Sequence, residues 1–371
     1  MAKAKPGRVA MQDLMKLVNK KAGRHVAHDL TGENPTSVKE WIPTGSRWLD
    51  SIISKGHRAG IPVGKVTEIA GLESTGKSYM AAQIAANAQK TGKLIVYFDS
   101  ESAIDPGFLE QAGCDLERLM YIQASSVEFV LETVEELLGA TEEQLVFIWD
   151  SLALTPSVSD VEGDFNPQSS MAVKARILAK GMSKLIIPIA DKQATFLVLN
   201  QLKTNIPSGP NARIIAMTTP YMTPGGKAMH YSYSLRIWLT GRKAKASFIE
   251  DEKGFRIGSE VKVKLEKSRF GTQGRQCNFK ILWGTDEIGV QDEESWFEAV
   301  KGSENIKQSG AWFELVFEDG TSEKFQASKW TEKLENIEFK KRVLQIMDEE
   351  VVMKFDNRQG NAEDFYEEKS E

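Results

Sequence analysis

The sequence predicts an α/β protein with a mostly parallel, twisted sheet flanked by helices. Two observations lead to this fold class. From about residue 38, short apolar runs alternate with segments of helical spacing, which is typical of βαβ units. The apolar runs are continuous rather than interrupted by polar residues, and this indicates strands that are buried on both faces.

The elements of this core follow one another regularly. A strand comes first, an Ala-rich helix follows it, and further strands and helices then alternate. Strands are expected over residues 65–71, 94–98, 145–149 and 195–199, and helices over residues 78–89, 127–138 and 171–190. Beyond these elements the pattern becomes more β-like, with strands expected over residues 235–239 and 261–265.

Four segments are expected along the chain. Residues 1–37 form a short helix and a linker, residues 38–284 the main core, residues 285–345 a small α+β lobe, and residues 346–371 an acidic tail. The helix is predicted because apolar residues recur at helical spacing, at Met11, Leu14, Met15 and Val18. Such an apolar stripe must be covered, either by the chain's own core or by a neighbouring subunit.

Composition excludes several classes of protein. The chain has 371 residues, of which 41% are hydrophobic and 27% charged, as in ordinary globular proteins. No apolar run approaches the ~18 residues that a membrane-spanning helix needs, and the first residues lack the apolar centre of a signal peptide. Cys114 and Cys277 are too few for a disulfide scaffold or a zinc site. We therefore expect a cytoplasmic protein with no membrane partner.

Charge is distributed very unevenly along the chain, although the net charge is only −5. Residues 1–26 carry seven basic groups and one acidic group, whereas residues 192–249 carry eight basic groups and no acidic group. Residues 346–371 carry nine acidic and three basic groups. Such asymmetry indicates a polyanionic partner, with a solvated basic face as the alternative.

The most specific motif is the segment GLESTGKS at residues 71–78, which matches the phosphate-loop pattern G-x-x-x-x-G-K-[ST]. Glycines let the backbone curl so that several N–H groups point at one anion, and the following helix adds a partial positive charge. Lys77 is expected to reach the β- and γ-phosphates, and the Ser78 hydroxyl to bind Mg²⁺. The residues assigned to ATP binding are Gly71, Leu72, Glu73, Ser74, Thr75, Gly76, Lys77, Ser78 and Tyr79.

Two carboxylates follow apolar strands. Asp150 ends the run LVFIW and is the expected second magnesium ligand beside Ser78, with simple capping of the next element as the alternative. Glu101 follows the run LIVYF at the edge where ligands gather in open α/β sheets. It is the candidate base that activates water, with a surface acid in a turn as the alternative.

In this order, these elements resemble the RecA-type strand-exchange ATPases over about residues 38–345. The matching stretches are GLESTGKS, FDSESAIDP at 98–106, IWDSLALTP at 148–156, and Asn200-Gln201. The resemblance implies a RecA-type P-loop core in which Glu101 is the catalytic glutamate and Gln201 senses the γ-phosphate. It also implies that Asp105 and Phe108 contact the nucleotide base.

The resemblance further implies two DNA-binding loops, at about residues 156–166 and 202–226. The second holds four of the twelve prolines, so that we expect no regular helix or inner strand there. Its basic residues would bind phosphates and its apolar residues would wedge between bases. The residues assigned to DNA are Arg176, Lys203, Arg213, Ile214, Met217, Tyr221, Gly225 and Gly226.

A pair of basic residues, Lys267 and Arg269, falls where bacterial RecA places two lysines that reach the neighbouring subunit's ATP. A cation supplied in trans would make hydrolysis depend on assembly. A basic strand end at the surface is the alternative. The sequence Lys-Ser-Arg at 267–269 and the divergent termini of the chain are more similar to phage UvsX-type recombinases than to bacterial RecA. We therefore expect a phage-encoded or divergent member of the family.

The function expected from this resemblance is ATP-dependent homologous recombination, with ATP and Mg²⁺ as cofactors. The protein would self-associate into helical filaments on single-stranded DNA and exchange strands with homologous duplex DNA, with single-strand-binding and mediator proteins as candidate partners. The first alternative is a helicase or other DNA motor with the same core. A P-loop small-molecule kinase and a filament-regulating paralogue without catalysis are the others.

Overall fold

The computed structural model describes residues 6–30, 34, 36–163, 171–241, 247–284 and 288–353. The chain divides into two units, residues 1–39 and residues 40–371. The described part of the first unit contains helix α1 (Pro6–Ala22), in which Met11, Leu14 and Val18 are exposed. A helix is therefore present where the apolar spacing predicts one.

The second unit contains the remaining elements. Its helices are α2 (Arg47–Ile53), α3 (Lys77–Lys90), α4 (Pro106–Gln111), α5 (Val127–Ala140), α6 (Val158–Glu162), α7 (Met171–Asp191), α8 (Ala212–Thr218), α9 (Gly226–Ser232), α10 (Asp292–Val300), α11 (Trp330–Lys333) and α12 (Ile337–Ile346). Its strands are β1 (Trp41–Ile42), β2 (Ile61–Pro62), β3 (Val66–Gly71), β4 (Leu94–Asp99), β5 (Leu119–Gln123), β6 (Leu145–Asp150), β7 (Thr195–Gln201), β8 (Lys203–Thr204), β9 (Tyr221–Met222), β10 (Leu235–Thr240), β11 (Phe248–Glu250), β12 (Arg256–Ser268), β13 (Gln276–Leu282), β14 (Gly289–Gln291), β15 (Ile306–Ser309), β16 (Trp312–Val316) and β17 (Ser322–Gln326).

A ten-stranded sheet organises this unit. Its strand order is β14-β13-β12-β10-β3-β7-β6-β4-β5, with β11 paired to β12. The six strands from β10 to β5 run parallel, and the β11–β14 extension is antiparallel. The expected α/β class with a mostly parallel sheet is thus confirmed, and each strand predicted in the core is present.

Alternate residues of the central strands enter two hydrophobic clusters. In β4, Ile95 and Tyr97 join a cluster with the alanines of α3, whereas Val96 and Phe98 join a cluster with α5 and α7. The small alanine side chains let α3 pack closely on the sheet, and α3 begins a few residues after β3 ends at Gly71. Helices therefore cover both faces, and the carboxyl ends of β3, β4, β6 and β7 lie together at one edge.

The described residues beyond 288 form a smaller α+β arrangement. Strands β15–β17 make an antiparallel three-stranded sheet, and the side chains of Phe297, Phe325 and Trp330 pack among one another between this sheet and the helices. The boundaries 38–284 and 285–345 stay predictions. Most of the predicted acidic tail, residues 354–371, lies outside the described residues. Within the described part of the chain, no helix is long and apolar enough to span a membrane.

Candidate nucleotide-binding and DNA-binding site

The phosphate loop joins the end of β3 to the start of α3, as the motif predicts. Gly76 has φ 79°, and a Cβ there would lie 2.5 Å from Ile281 Cδ1. A Cβ on Gly71 would lie 2.4 Å from Thr75 Oγ1. Position 76 therefore favours glycine because of its left-handed backbone, and position 71 because a side chain would collide with Thr75 and Leu239. The result is a tight backbone curl at a helix N-terminus, which fits a phosphate group.

Lys77 is held within this curl. Its Nζ donates to the carbonyl oxygens of Leu72 at 3.0 Å and Gly71 at 3.3 Å. Burial lowers the pKa of Lys77, and the nearby carboxylates of Asp150, Glu101 and Glu73 oppose that shift. The ammonium group is thus placed on the inner side of the loop, where the motif assigns it to phosphate.

Ser78 and Asp150, the two residues predicted to bind magnesium, lie next to each other. Ser78 Oγ donates to Asp150 Oδ2 at 2.9 Å, and the Tyr97 hydroxyl donates to the same oxygen at 2.9 Å. Burial raises the pKa of Asp150, while these two hydrogen bonds lower it. A hydroxyl and a carboxylate are oxygen ligands of the kind that Mg²⁺ takes, so that the two side chains fit this ion.

Glu101 lies in a turn that Asp99 builds at the end of β4. Asp99 Oδ1 accepts from Glu101 N at 2.8 Å, and Asp99 Oδ2 accepts from Ala103 N at 2.9 Å. Burial raises the pKa of Glu101, and the carboxylates of Asp150 and Asp99 raise it further. A raised pKa is the property expected of a group that exchanges a proton with water. Asp99 shapes this turn, although no sequence motif assigned a role to it.

Gln201 lies beside the phosphate loop. It ends β7 opposite Gly71 in the parallel pairing of β7 with β3, and Leu202 N donates to Gly71 O at 3.0 Å. The backbone that leads into the second predicted loop is therefore hydrogen-bonded to the first residue of the phosphate loop. The roles predicted for Gln201 as a sensor and for the following residues as a DNA loop stay predictions.

Aromatic side chains surround Tyr79 at the start of α3. The ring of Phe108 lies edge-on to Tyr79, with centroids 4.6 Å apart, and Trp283 lies 6.2 Å from Tyr79. Asp105 is the N-cap of α4, the helix that carries Phe108. Phe108 thus lies beside the first turn of α3, and Asp105 begins the helix that carries Phe108. Nothing in the sequence indicates that Trp283 lies near Tyr79, because the two residues are about 200 positions apart in the chain and only the pairing of strands brings them together.

The second predicted loop has more regular structure than expected. Residues 202–226 contain α8 and the short antiparallel pair β8–β9, so that the expectation of no helix there is wrong. The prolines are compatible with α8 because Pro210 precedes the helix and Pro220 follows it. Exposed apolar side chains lie along α8, with Ile214 62% and Met217 76% accessible.

The residues assigned to DNA are spread around this segment. Lys203 in β8 and Arg213 in α8 are exposed, and Tyr221 is half-buried in β9. Gly225 is the N-cap of α9, and Gly226 is the first residue of that helix. A Cβ on Gly226 would lie 3.3 Å from Ala175 Cβ, which places the end of the segment against α7, the helix that carries the exposed Arg176. Of the first predicted loop, residues 156–163 are described and include α6, whereas residues 164–166 lie outside the described residues.

Lys267 and Arg269 lie away from their own phosphate loop. Lys267 pairs with Arg236 across β12 and β10, and Arg236 pairs with Glu68, three residues before the end of β3. Lys267 Nζ donates to His230 O at 2.6 Å, and Arg269 Nη2 donates to Tyr231 O at 2.8 Å. Burial, together with Arg269, lowers the pKa of Lys267 to about 8. The fold therefore does not bring this basic pair to the nucleotide site of the same chain.

Comparison with known proteins agrees with this geometry. The model of the RecA N-terminal domain family matches residues 9–288. The RecA protein of Colwellia psychrerythraea is 30% identical over 81% of this chain and 81% of its own length. The RecA proteins of Sulfurimonas denitrificans and Fusobacterium nucleatum are 32% and 31% identical and cover 81% and 82% of this chain, which spans 81% and 75% of their lengths. The chain belongs to the RecA family.

Proposed function

We propose that this protein is an ATP-dependent recombinase that forms helical filaments on single-stranded DNA and exchanges strands with a homologous duplex. Its RecA relatives indicate ATP-dependent recombination and strand exchange. The observation that carries the proposal is the hydrogen bond between Leu202 N and Gly71 O. It joins a segment with exposed cationic and apolar side chains to the phosphate loop. A change at the nucleotide would therefore reach the proposed DNA-binding surface through one backbone contact.

The family is one of DNA-dependent ATPases that bind ATP and use Mg²⁺. In this chain the curl at Gly76 and the ammonium of Lys77 would hold the phosphates, and Ser78 and Asp150 would hold the magnesium ion. When bound, magnesium ATP supplies a terminal phosphoryl group that water can attack. Glu101 would accept a proton from that water, and Asp99 holds its backbone in place.

Assembly would complete the site. Since Lys267 and Arg269 do not face their own phosphate loop, we propose that they serve the nucleotide of a neighbouring subunit, as cations that stabilise charge on the transferring phosphoryl group. The N-terminal segment 1–37 would make a subunit contact.

A cytoplasmic location, accessory single-strand-binding and mediator proteins, and a phage UvsX-like origin stay predictions. A helicase or other DNA motor is not favoured by the RecA relatives.

The experiment is a measurement of ATP hydrolysis with and without single-stranded DNA. We expect the wild-type rate to rise when DNA is added, and Lys77→Ala to abolish turnover under both conditions because the phosphates lose their ammonium partner. Lys90→Ala, at the other end of α3, is the matched control and keeps the wild-type rates. A wild-type rate that ignores DNA, or normal turnover by Lys77→Ala, contradicts the proposal.

A further inference from the structure

Arg256 lies across from the phosphate loop, and none of the roles given above includes it. It begins β12, directly after the turn that connects β11 to β12. This antiparallel pair is attached to the edge of the parallel strands, and β12 lies next to β10, which in turn lies next to β3. The strand pairing therefore brings Arg256 close to the phosphate loop, although Arg256 and Gly76 are 180 positions apart in the sequence.

The guanidinium of Arg256 is held by aromatic rings and hydrogen bonds. Its Cζ lies 3.8 Å from the centre of the Phe248 ring and 5.1 Å from that of Trp283. Nε donates to Gly258 O at 3.3 Å, and Nη2 donates to Ser259 Oγ. Stacking on aromatic rings fixes a guanidinium at little further entropic cost and leaves its remaining N–H groups able to donate.

Two cavities meet at this side chain. One has a volume of about 430 Å³ and is lined by phosphate-loop residues 74–79 together with Arg256 and Trp283. Its charged lining residues, among those that the structure describes, are the two cations Lys77 and Arg256. The other cavity, of about 370 Å³, also contains the carboxylates of Glu73 and Glu260. An anion therefore fits the first cavity, where both charged side chains are positive.

We propose that Arg256 is a nucleotide-binding residue that contacts the phosphate groups of ATP and ADP held by the phosphate loop of the same chain. The proposal rests on the proposed function, because it assumes that the loop binds a nucleotide. Under this proposal the cavity contains two cations from the same chain, Lys77 and Arg256. An arginine suits this position because its planar fork can donate two hydrogen bonds to phosphate oxygens while its face stays on the rings.

The test compares the affinities of wild-type protein, Arg256→Gln and Arg256→Lys for ADP and ATP in the presence of Mg²⁺, measured by calorimetry at several KCl concentrations. Arg256→Gln should weaken both affinities about tenfold, the loss of one charge-assisted contact of ~1.4 kcal/mol. The salt dependence of its ADP affinity should also be shallower, because one cation–phosphate contact is gone. Arg256→Lys keeps the charge and should recover part of the affinity.

Lys253→Ala provides the matched control, since it removes a positive charge from the exposed turn of the same pair of strands without touching either cavity. It should bind ADP as the wild type does. Equal affinities in wild type and Arg256→Gln overturn the inference, and so does a loss of affinity with an unchanged salt dependence, which would indicate packing on Trp283 instead. A wild-type protein that binds no nucleotide would contradict the proposed function itself.

Discussion

Arg236 Nε donates to Glu68 Oε2 at 2.6 Å, and both side chains are almost inaccessible to solvent. This ion pair joins β10 to β3 three residues before the phosphate loop begins. Arg236 Nη2 also donates to Thr223 Oγ1 at 2.9 Å, and Thr223 belongs to the final residues of the second predicted DNA loop. A buried polar pair of this kind depends on each partner, because an unpaired charge in the interior is costly.

The first prediction concerns Thr223, which is 7% exposed and lies within 3.1 Å of His230 Nε2. Thr223→Val keeps the shape of the side chain but removes the hydroxyl that joins the loop to Arg236. We expect the DNA-stimulated part of ATP hydrolysis to fall severalfold while the rate without DNA changes little. The melting temperature should also fall somewhat, because Arg236 Nη2 loses a buried acceptor. The ratio of the two rates is the measurement.

Thr218→Val is the control for this experiment, since its hydroxyl donates to Ile214 O within α8 and contacts no part of the buried pair. A Thr223→Val protein with full stimulation by DNA would show that the hydrogen bond plays no part in coupling. A variant that only melts earlier, with the same stimulation, would assign the bond to stability alone.

The second prediction concerns Glu101 and pH. Burial and the neighbouring carboxylates raise the pKa of Glu101, and only its ionised form can accept a proton. Hydrolysis should therefore rise with pH through a pKa above that of an ordinary glutamate and fall as pH is lowered. Glu101→Gln should reduce kcat by ~10²–10⁴-fold with ATP affinity kept, because the amide cannot act as a base.

The measurement is the rate of hydrolysis across pH 4–9, together with ATP binding by the variant. Glu110→Gln, an exposed carboxylate on α4, is the control and should keep both the rate and the pH profile. Rapid hydrolysis by Glu101→Gln would remove this residue from the catalytic role.

The third prediction concerns the exposed cations Lys203 and Arg213. If each neutralises a phosphate, its replacement by Ala weakens binding to single-stranded DNA and flattens the plot of log affinity against log salt by ~0.7 per cation. Lys184→Ala, which removes an exposed cation from α7 that is paired with Glu135, should leave the slope unchanged. Unchanged slopes in the first two variants would place the DNA surface elsewhere.

The fourth prediction concerns the proposal that Lys267 and Arg269 of one subunit act at the nucleotide site of the neighbouring subunit. Lys77→Ala lacks a working phosphate loop, and a double variant Lys267→Ala/Arg269→Ala lacks the proposed cations, so that each alone should hydrolyse ATP poorly. Mixed on the same DNA, they should recover activity, because one protein supplies the loop and the other supplies the cations. Absence of any recovery, with filaments still visible by microscopy, would contradict the proposed action in trans.

Contiguous features of the site were predictable from sequence. The phosphate loop, Asp150 and Gln201 each follow an apolar run, and the chain places them at one sheet edge as parallel pairing requires. Strand β5 was missed although residues 119–122 form a short apolar run, because four such residues do not by themselves distinguish a strand from a helix segment. It lies at the edge of the sheet, where three of its five residues are exposed. Arg256 and Trp283 could not be found from spacing, since only the strand pairing brings them to the loop.

The second predicted DNA loop, residues 202–226, shows a different limit of prediction from sequence. Proline content excluded a regular helix across residues 202–226, yet α8 forms between two prolines rather than through one. Proline positions exclude a helix that runs through them, but they do not exclude a short helix between them. Its exposed apolar residues remain the ones that the sequence assigned to DNA.

The most direct test of the account is exchange between a labelled oligonucleotide duplex and single-stranded DNA of identical or unrelated sequence. Strand exchange with the homologous strand, in the presence of ATP and Mg²⁺ and absent with Lys77→Ala, is the result that the account predicts. Equal strand separation with unrelated DNA, or unwinding of a forked duplex without any single-stranded partner, would contradict it and indicate a helicase.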